Sequence, residues 1–422
     1  MEPDLEHSLV ELARRARRAA RRLAPASRES REAAVRALAA RVEAATPRLL
    51  QANEDDVRAA RERGLSDALI DRLRLDEGRV GAIAKSILEI AALPDPLWQT
   101  IDETERPNGL RVRRVRVPIG VIAMVYESRP NVTVEASALA IKSGNAIVLR
   151  GGSEALRSNR VFAEAAALAL ADAGLPKDAV QLVPTTDREA IRVLLSQTES
   201  IDLAIPRGGE ALIRHVTEVA RVPVIQHWKG VCHLYLDEGC DAEMAARLTF
   251  DGKLSRPGVC NALECLLVHR AHAQRGGWFG ELLRTLTERC CEVRGCEETR
   301  GVFPGAKPAE EDDWGREFLA PVLAVRVVAS LDDAMDHIAR YGSGHTEAIC
   351  TSVAAHAERF RHEIDAACVV VNASTRFHDG GELGLGAELG IATSRLHWRG
   401  AMGLLALTTM KWIVDGAGQT RH

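Results

Sequence analysis

The chain has 422 residues, room for two or three domains. Hydrophobic residues make up 46% and charged residues 27%, the balance of a soluble globular protein rather than a disordered or fibrous one. A net charge of -4 excludes whole-molecule attraction to nucleic acid, and no apolar run approaches the roughly 20 residues a membrane span needs.

The opening "MEPDLEHSL" is acidic and lacks an apolar signal core, so a cytoplasmic chain is expected. Residues 4–45 read as two helices broken by "APAS". The arginines Arg14, Arg15, Arg17, Arg18, Arg21 and Arg22 fall on the first helix and read as a solvated face. More helix follows to about Ile90, where "ALPDPLW" stops it. Val and Arg alternate from Arg111 to Val117, the pattern of a half-exposed strand that needs a partner.

From Gly144 onward strands and helices alternate. "NAIVLR", "AVQLVP", "IDLAIP" and "VPVIQ" read as strands. Helices lie between them, one of them with Thr186 as its N-cap. This order implies a parallel sheet covered on both faces. A second α/β region begins at "VCHLYLD" and continues through "FLAPVLAVRVV", "SLDDAMDHIARYG", "TEAICTS" and "ACVVVNAS". "LTTMKWIV" is a last strand. "RPGVCNALECLLVH" reads as a helix opening at Cys260, with Cys265 inside it.

Two glycine pairs stand between a strand and a helix: Gly151-Gly152 and Gly208-Gly209. Backbone N–H groups at such turns can face a phosphate. Arg150 and Arg207 precede the pairs. No acid stands at position 150 to accept a ribose hydroxyl, so the turn favours NADP over NAD. A thiol at a helix start is acidified by the helix dipole, which singles out Cys260 from the nine cysteines. Cys290, Cys291 and Cys296 lie close together, but neither CxxC spacing nor a histidine pair accompanies them, so no metal is expected.

Several segments match a known family: "VPIGVIAMVYESRPNVTVEASALAIKSGNAIVLRGGSEA", "IDLAIPRGG", "RPGVCNALE", "RYGSGHTEAI" and "VNASTRFHDGGELGLGAELGI". On these the chain resembles the gamma-glutamyl phosphate reductases, within the aldehyde dehydrogenase superfamily. The resemblance implies an aldehyde-dehydrogenase-like α/β fold. Its Rossmann-like cofactor domain would span 1–108 and 118–230, and its α/β catalytic domain 231–402. A small oligomerisation element would be built from 109–117 and 403–422. It implies NADPH-dependent reduction of L-glutamyl 5-phosphate to L-glutamate 5-semialdehyde in proline biosynthesis.

Carried over by motif, Cys260 is the nucleophile, and Asn261 or Asn131 supplies a side-chain amide to the oxyanion. Arg150, Gly151 and Ser153 face the adenosine ribose, Arg207, Gly208 and Gly209 the pyrophosphate, and Glu317 the nicotinamide ribose. Lys253, Arg256 and Arg376 are the candidate cations for the substrate's phosphate and carboxylate. His227 stands where hydrolytic relatives carry a glutamate base, and His345 is expected to hold a turn. Two departures stand out: "FDGKLSR" replaces the common "NAKTQR", and Lys229 replaces an acid. A homodimer or higher homo-oligomer is expected, without nucleic acid or membrane, and a glutamate 5-kinase is a candidate partner because acyl phosphates are labile. The rival readings are a hydrolytic NAD-dependent aldehyde dehydrogenase and a non-catalytic scaffold.

Overall fold

A computed structural model describes residues 3–127 and 129–421. The chain divides into two compact units. One comprises residues 1–226, 385–390 and 402–422; the other comprises residues 227–384 and 391–401.

The first unit opens with helices Pro3–Leu23 and Arg28–Ala44, separated at the expected break. Ser27 caps the second by accepting the Ser30 N–H. The arginine-rich face is only partly given to solvent. Arg15 donates to Gln181 at 3.1 Å and Arg17 to Asp202 at 2.7 Å, so two of its cations tie the helix to the chain's own sheet. The strands of the unit are β1 (Thr100–Glu105), β2 (Arg111–Pro118), β3 (Val121–Tyr126), β4 (Ala146–Arg150), β5 (Val180–Leu182) and β6 (Leu203–Arg207). Four of them form a parallel sheet in the order β5-β4-β3-β6. Every residue of β3 and β4 is buried, as a sheet covered on both faces requires. The segment Val222–Gln226, expected as a strand, contributes only one bridge, Val224 to Ala204. Arg188 rather than Thr186 stands at the N-cap of the helix Glu189–Leu195, and the Asp187 carboxylate just before it accepts the Glu189 N–H at 2.9 Å.

A separate three-stranded antiparallel sheet joins β1, β2 and the C-terminal strand Thr408–Asp415. β2 is its middle strand, so the alternating segment finds both partners within its own chain. Met410, Trp412 and Val414 remain exposed on the outer strand, and the Arg114 guanidinium lies over the Trp412 ring.

The second unit is built on seven parallel strands: β7 (Cys232–Leu236), β8 (Leu263–His269), β9 (Glu292–Gly295), β10 (Lys307–Pro308), β11 (Val322–Val328), β12 (Thr346–Cys350) and β13 (Cys368–Val371). Their order is β10-β9-β11-β8-β7-β12-β13, which makes β8 the central strand. Leu234, Leu266, Leu283, Leu323 and Ala348 form the core of one face, and Leu267, Ala324, Ile349 and Phe360 that of the other. No helix among the described residues is long and apolar enough to cross a membrane.

The main correction falls on "RPGVCNALECLLVH". The helix Ala242–Leu254 ends before it, residues 257–261 form a turn, and Leu263–His269 is strand β8. Cys260 therefore does not open a helix, and the dipole argument for its thiolate does not apply. A strand buried on both faces shows no regular polar alternation, so the spacing of Leu263, Leu266 and Leu267 imitates a helical stripe.

Candidate active site

In the second unit the candidate residues gather at the amino-terminal approaches to neighbouring strands. Gly230 precedes β7, Cys260 precedes β8, Glu317 precedes β11 and His345 precedes β12. The Cys260 turn is pinned from both sides. The Cys232 thiol donates to the Cys260 carbonyl at 3.3 Å, and the Thr375 hydroxyl donates to the Asn261 carbonyl at 2.8 Å. Asn261 is buried, and its amide N–H groups go to the carbonyls of Arg376 (3.2 Å) and His378 (3.1 Å). These bonds change the expectation for Asn261: its donors hold the "STRF" segment instead of facing an oxyanion. Cys260 itself stays half-buried, whereas Cys232 and Cys265 are buried.

Gly230 lies against the same turn. A Cβ at this position would overlap the Cys260 carbonyl, so only glycine lets the two backbones meet. The Gly230 N–H donates to Glu317 Oε1 at 3.0 Å, and Lys229 Nζ donates to the Gly315 carbonyl at 2.5 Å. Lys229 thus tethers the segment that carries Glu317.

Around the turn lies a group of imidazoles. The rings of His227 and His345 meet edge-on with centroids 5.7 Å apart, and those of His345 and His378 at 5.1 Å. His345 and His378 each place Nδ1 2.7 Å from Thr346 Oγ1, so His345 holds the start of β12 as expected. Burial lowers the pKa of His378 to about 4, which keeps it neutral at pH 7.

Of the cations expected near substrate, Arg256 is exposed and Arg376 is half-buried, with its Nε buried and unpartnered. Lys253 requires a correction. It is fully buried and its ammonium meets Glu264 Oε2 at 2.5 Å, so it is spent on an internal ion pair. Cys265 is buried on β8 with Sγ 3.6 Å from His337 Nε2. Arg326 donates to His337 Nδ1 at 3.0 Å, which puts a hydrogen rather than a lone pair on the nitrogen facing that sulfur. His233, Cys265 and His337 lie close enough for a metal, but this tautomer suits a hydrogen bond. In the triplet Cys290, Cys291 and Cys296, the Cys296 sulfur meets the Thr299 hydroxyl and accepts the Val327 N–H.

In the first unit the candidate residues follow the carboxyl ends of β3, β4 and β6, where Rossmann-like sheets bind ligands. The Gly209 N–H, at the N-cap of the helix Glu210–Val219, donates to Glu127 Oε2 at 3.1 Å. A carboxylate thus already sits on the donor where a pyrophosphate is expected, and the turn suits an anion. A Cβ at Gly208 would collide with Glu127, whereas Gly209 faces open space. Gly151 has no room for a side chain because Asn159 and Tyr126 pack against it. Ser153 Oγ accepts from Arg63 Nη1 at 3.2 Å, a partner the sequence gave no signal for because 90 residues separate the two.

The two arginines before the glycine pairs are more committed than expected. Arg150 is buried and donates to the carbonyls of Gly151 (3.1 Å) and Thr186 (2.9 Å). Arg207 leans toward Glu388 at 3.9 Å. Asn131 Nδ2 donates one hydrogen to Glu135 at 3.0 Å and keeps a second.

Two parallel sheets, one with glycine-lined carboxyl ends and one with a thiol on a braced turn, are the arrangement expected of an aldehyde-dehydrogenase-like enzyme. Comparison with known proteins agrees. Residues 6–290 match the model of the aldehyde dehydrogenase family. The chain is 60% identical to a gamma-glutamyl phosphate reductase from Sorangium cellulosum, covering 99% of each chain. It is 50% identical to that of Desulfatibacillum aliphaticivorans, covering 98% of each. The crystal structure of gamma-glutamyl phosphate reductase from Thermotoga maritima superposes with a TM-score of 0.96 at 43% identity, covering 98% of this chain and 100% of that one. An acetylating aldehyde dehydrogenase from Geobacillus thermoglucosidasius, 16% identical, shares the fold with a TM-score of 0.68. The chain belongs to the aldehyde dehydrogenase family and, within it, to the gamma-glutamyl phosphate reductases.

Proposed function

We propose that Cys260 is the nucleophile through which this chain reduces L-glutamyl 5-phosphate to L-glutamate 5-semialdehyde with release of phosphate, in proline biosynthesis. The observation that carries the assignment is the braced turn: a half-buried thiol whose flanking carbonyls are both occupied and whose backbone rests on Gly230. The thiolate adds to the acyl carbon, the C–O bond to phosphate breaks, and a thioester remains on Cys260. When bound, NADPH would supply the hydride for reduction of this thioester. Collapse of the resulting thiohemiacetal breaks the C–S bond, releases the aldehyde and returns the thiolate. No water need attack, which fits His227 as a packed imidazole rather than a base.

Of the two side-chain amides considered for the oxyanion, Asn131 is the better candidate, because Asn261 has given its donors to Arg376 and His378. The Cys260 N–H is the second donor proposed. Arg256 and Arg376 remain the candidates for the substrate's phosphate and carboxylate.

The cofactor of this family is a nicotinamide dinucleotide. The first unit fits one: the donor occupied by the Glu127 carboxylate suits a pyrophosphate, and Gly209 leaves space beside it. We assign the adenosine ribose to Gly151 and Ser153, the pyrophosphate to Gly208 and Gly209, and the nicotinamide ribose to Glu317. The preference for NADP is ascribed to the cations at the first turn, Arg150 beneath it and Arg63 on Ser153. Arg207 acts by holding Glu388 beside its own turn.

For assembly we propose a homo-oligomer formed through the three-stranded sheet. Its outer strand carries Met410, Trp412 and Val414 exposed, and its edges are open to sheet extension.

The assay that tests the reading supplies glutamate 5-semialdehyde, NADP and phosphate and follows NADPH formation. Turnover should require phosphate, and Cys260→Ala should lower it by about a thousand-fold or more. Phosphate-independent formation of the free acid would favour a hydrolytic dehydrogenase. Full turnover in Cys260→Ala would remove the nucleophile assignment.

A further inference from the structure

Five residues, Gly315 to Leu319, form the approach to β11 and present Glu317. Leu319 holds φ at 52°, a left-handed conformation that costs a non-glycine residue energy. The residue is 49% exposed, so its own burial does not pin it there. The segment is held by other groups. Lys229 takes the Gly315 carbonyl, the Gly230 N–H takes Glu317 Oε1, and the Leu319 N–H donates to Glu264 Oε1 at 3.3 Å. Glu264 stands on β8, four residues after Cys260, and its other oxygen meets Lys253 at the end of the preceding helix. Lys253 and Glu264 thus bracket the Cys260 turn in sequence. The Phe318 ring lies 5.9 Å from the Lys253 ammonium, which closes the arrangement from above.

Stability offers little reason for an ion pair whose two side chains are both fully buried. Desolvating two charges costs about as much as their attraction returns, and apolar residues of like volume pack as well. Direction is what the pair supplies and apolar residues lack: one carboxylate reaches two segments at once.

We propose that Glu264, oriented by Lys253, is a positioning residue that fixes Glu317 relative to the Cys260 turn by holding the strained segment before β11. The proposal rests on the reading of Glu317 as a contact of the nicotinamide ribose. It also gives Lys253 a role the sequence did not suggest: a buried strut behind the nucleophile instead of a substrate cation.

The test is the double variant Lys253→Met/Glu264→Leu, which keeps volume and removes both charges, beside Glu317→Gln. The double variant should melt at or above the wild-type temperature. Its KM for NADP should rise about ten-fold and its kcat fall by a similar factor, with the KM for the semialdehyde unchanged. A folded double variant with wild-type KM and kcat would overturn the proposal. If the double variant does not fold, Lys229→Met removes the Gly315 tie outside the core. A rise of about three-fold in the KM for NADP would support the clamp, and an unchanged KM would overturn it. Failure of the underlying reading looks different: Glu317→Gln would then leave the KM for NADP unchanged, and a role in positioning it would fall as well.

Discussion

The two parallel sheets of this chain carry their candidate residues at opposite ends of their strands. In the first unit Glu127, Gly151-Gly152 and Gly208-Gly209 follow β3, β4 and β6. In the second, Gly230, Cys260, Glu317 and His345 precede β7, β8, β11 and β12. At a carboxyl end the next helix begins, and its free N–H groups point at whatever binds. At an amino end no helix start is available. The chain compensates with side-chain hydrogen bonds to its own backbone: Cys232 to Cys260, Thr375 to Asn261, Asn261 to Arg376 and His378. A thiol in such a place owes its position to bracing and not to a helix dipole.

Two glycines, Gly230 at one end and Gly209 at the other, serve in contrary ways, and this gives the largest expected effect. Gly230 is empty so that the protein's own Cys260 carbonyl can approach, whereas Gly209 is empty toward open space. Gly230→Ala forces the Cys260 turn to move, and about a hundred-fold loss of kcat is expected, with roughly 1–3 kcal/mol of stability lost to overpacking. Steady-state kinetics and urea unfolding measure both. A Gly230→Ala enzyme within three-fold of wild type would mean that the amino-end site is not braced as described.

The amino-end site should also be the acid-sensitive one. His378 is buried against Thr346, and its pKa falls from 6.5 to about 4. The unfolded chain therefore binds more protons between those values, so stability is full above pH 6.5 and is lost as pH falls toward 4. From pH 7 to pH 5 this one imidazole should cost about 2 kcal/mol. Urea unfolding at the two pH values should show a smaller difference in His378→Gln than in wild type. Equal differences would show that His378 does not carry the effect.

The carboxyl-end turns were legible because each signal is local. "AIVLR" and "IDLAIP" are short apolar runs closed by glycine pairs, and the structure places β4 and β6 there. The amino-end site was legible only in its identity, through "RPGVCNALE", and not in its shape. Cys260 reads as a helix start because a fully buried strand has no period-two alternation to betray it. β3, the strand "VIAMVY", carries no alternation for the same reason, although it lies inside the first sheet. The cations were the least legible. A sequence shows that Lys253 and Arg150 are charged, but not that one turns to Glu264 and the other to backbone carbonyls.

A smaller effect separates two roles for Arg150 at the carboxyl end. Its guanidinium both holds the Gly151 and Thr186 carbonyls and adds positive charge beneath the turn. Arg150→Met should raise the KM for NADPH about ten-fold, the equivalent of one charge-assisted contact, and that for NADH less than two-fold. Equal increases for the two cofactors would assign Arg150 to loop structure alone, leaving Arg63 as the cation that distinguishes them.

The smallest change is expected at Gly209, where the comparison with Gly230 is sharpest. A methyl group there meets nothing within 4 Å in the protein, and the φ of -70° is open to any residue, so Gly209→Ala should fold with an unchanged melting temperature. Only a bound anion can feel it. The added methyl narrows the space beside the N–H that now bonds Glu127, and a pyrophosphate drawn to that N–H would have to sit slightly farther away. A rise of about two- to five-fold in the KM for NADPH, with kcat unchanged, is the expected signature of lost uniform binding. If the KM does not move, the space above Gly209 is not where the dinucleotide lies, and the pyrophosphate must be sought at the β4 turn instead. If the melting temperature falls as well, the turn is as tightly packed as the one at Gly230, and the contrast between these two glycines would vanish.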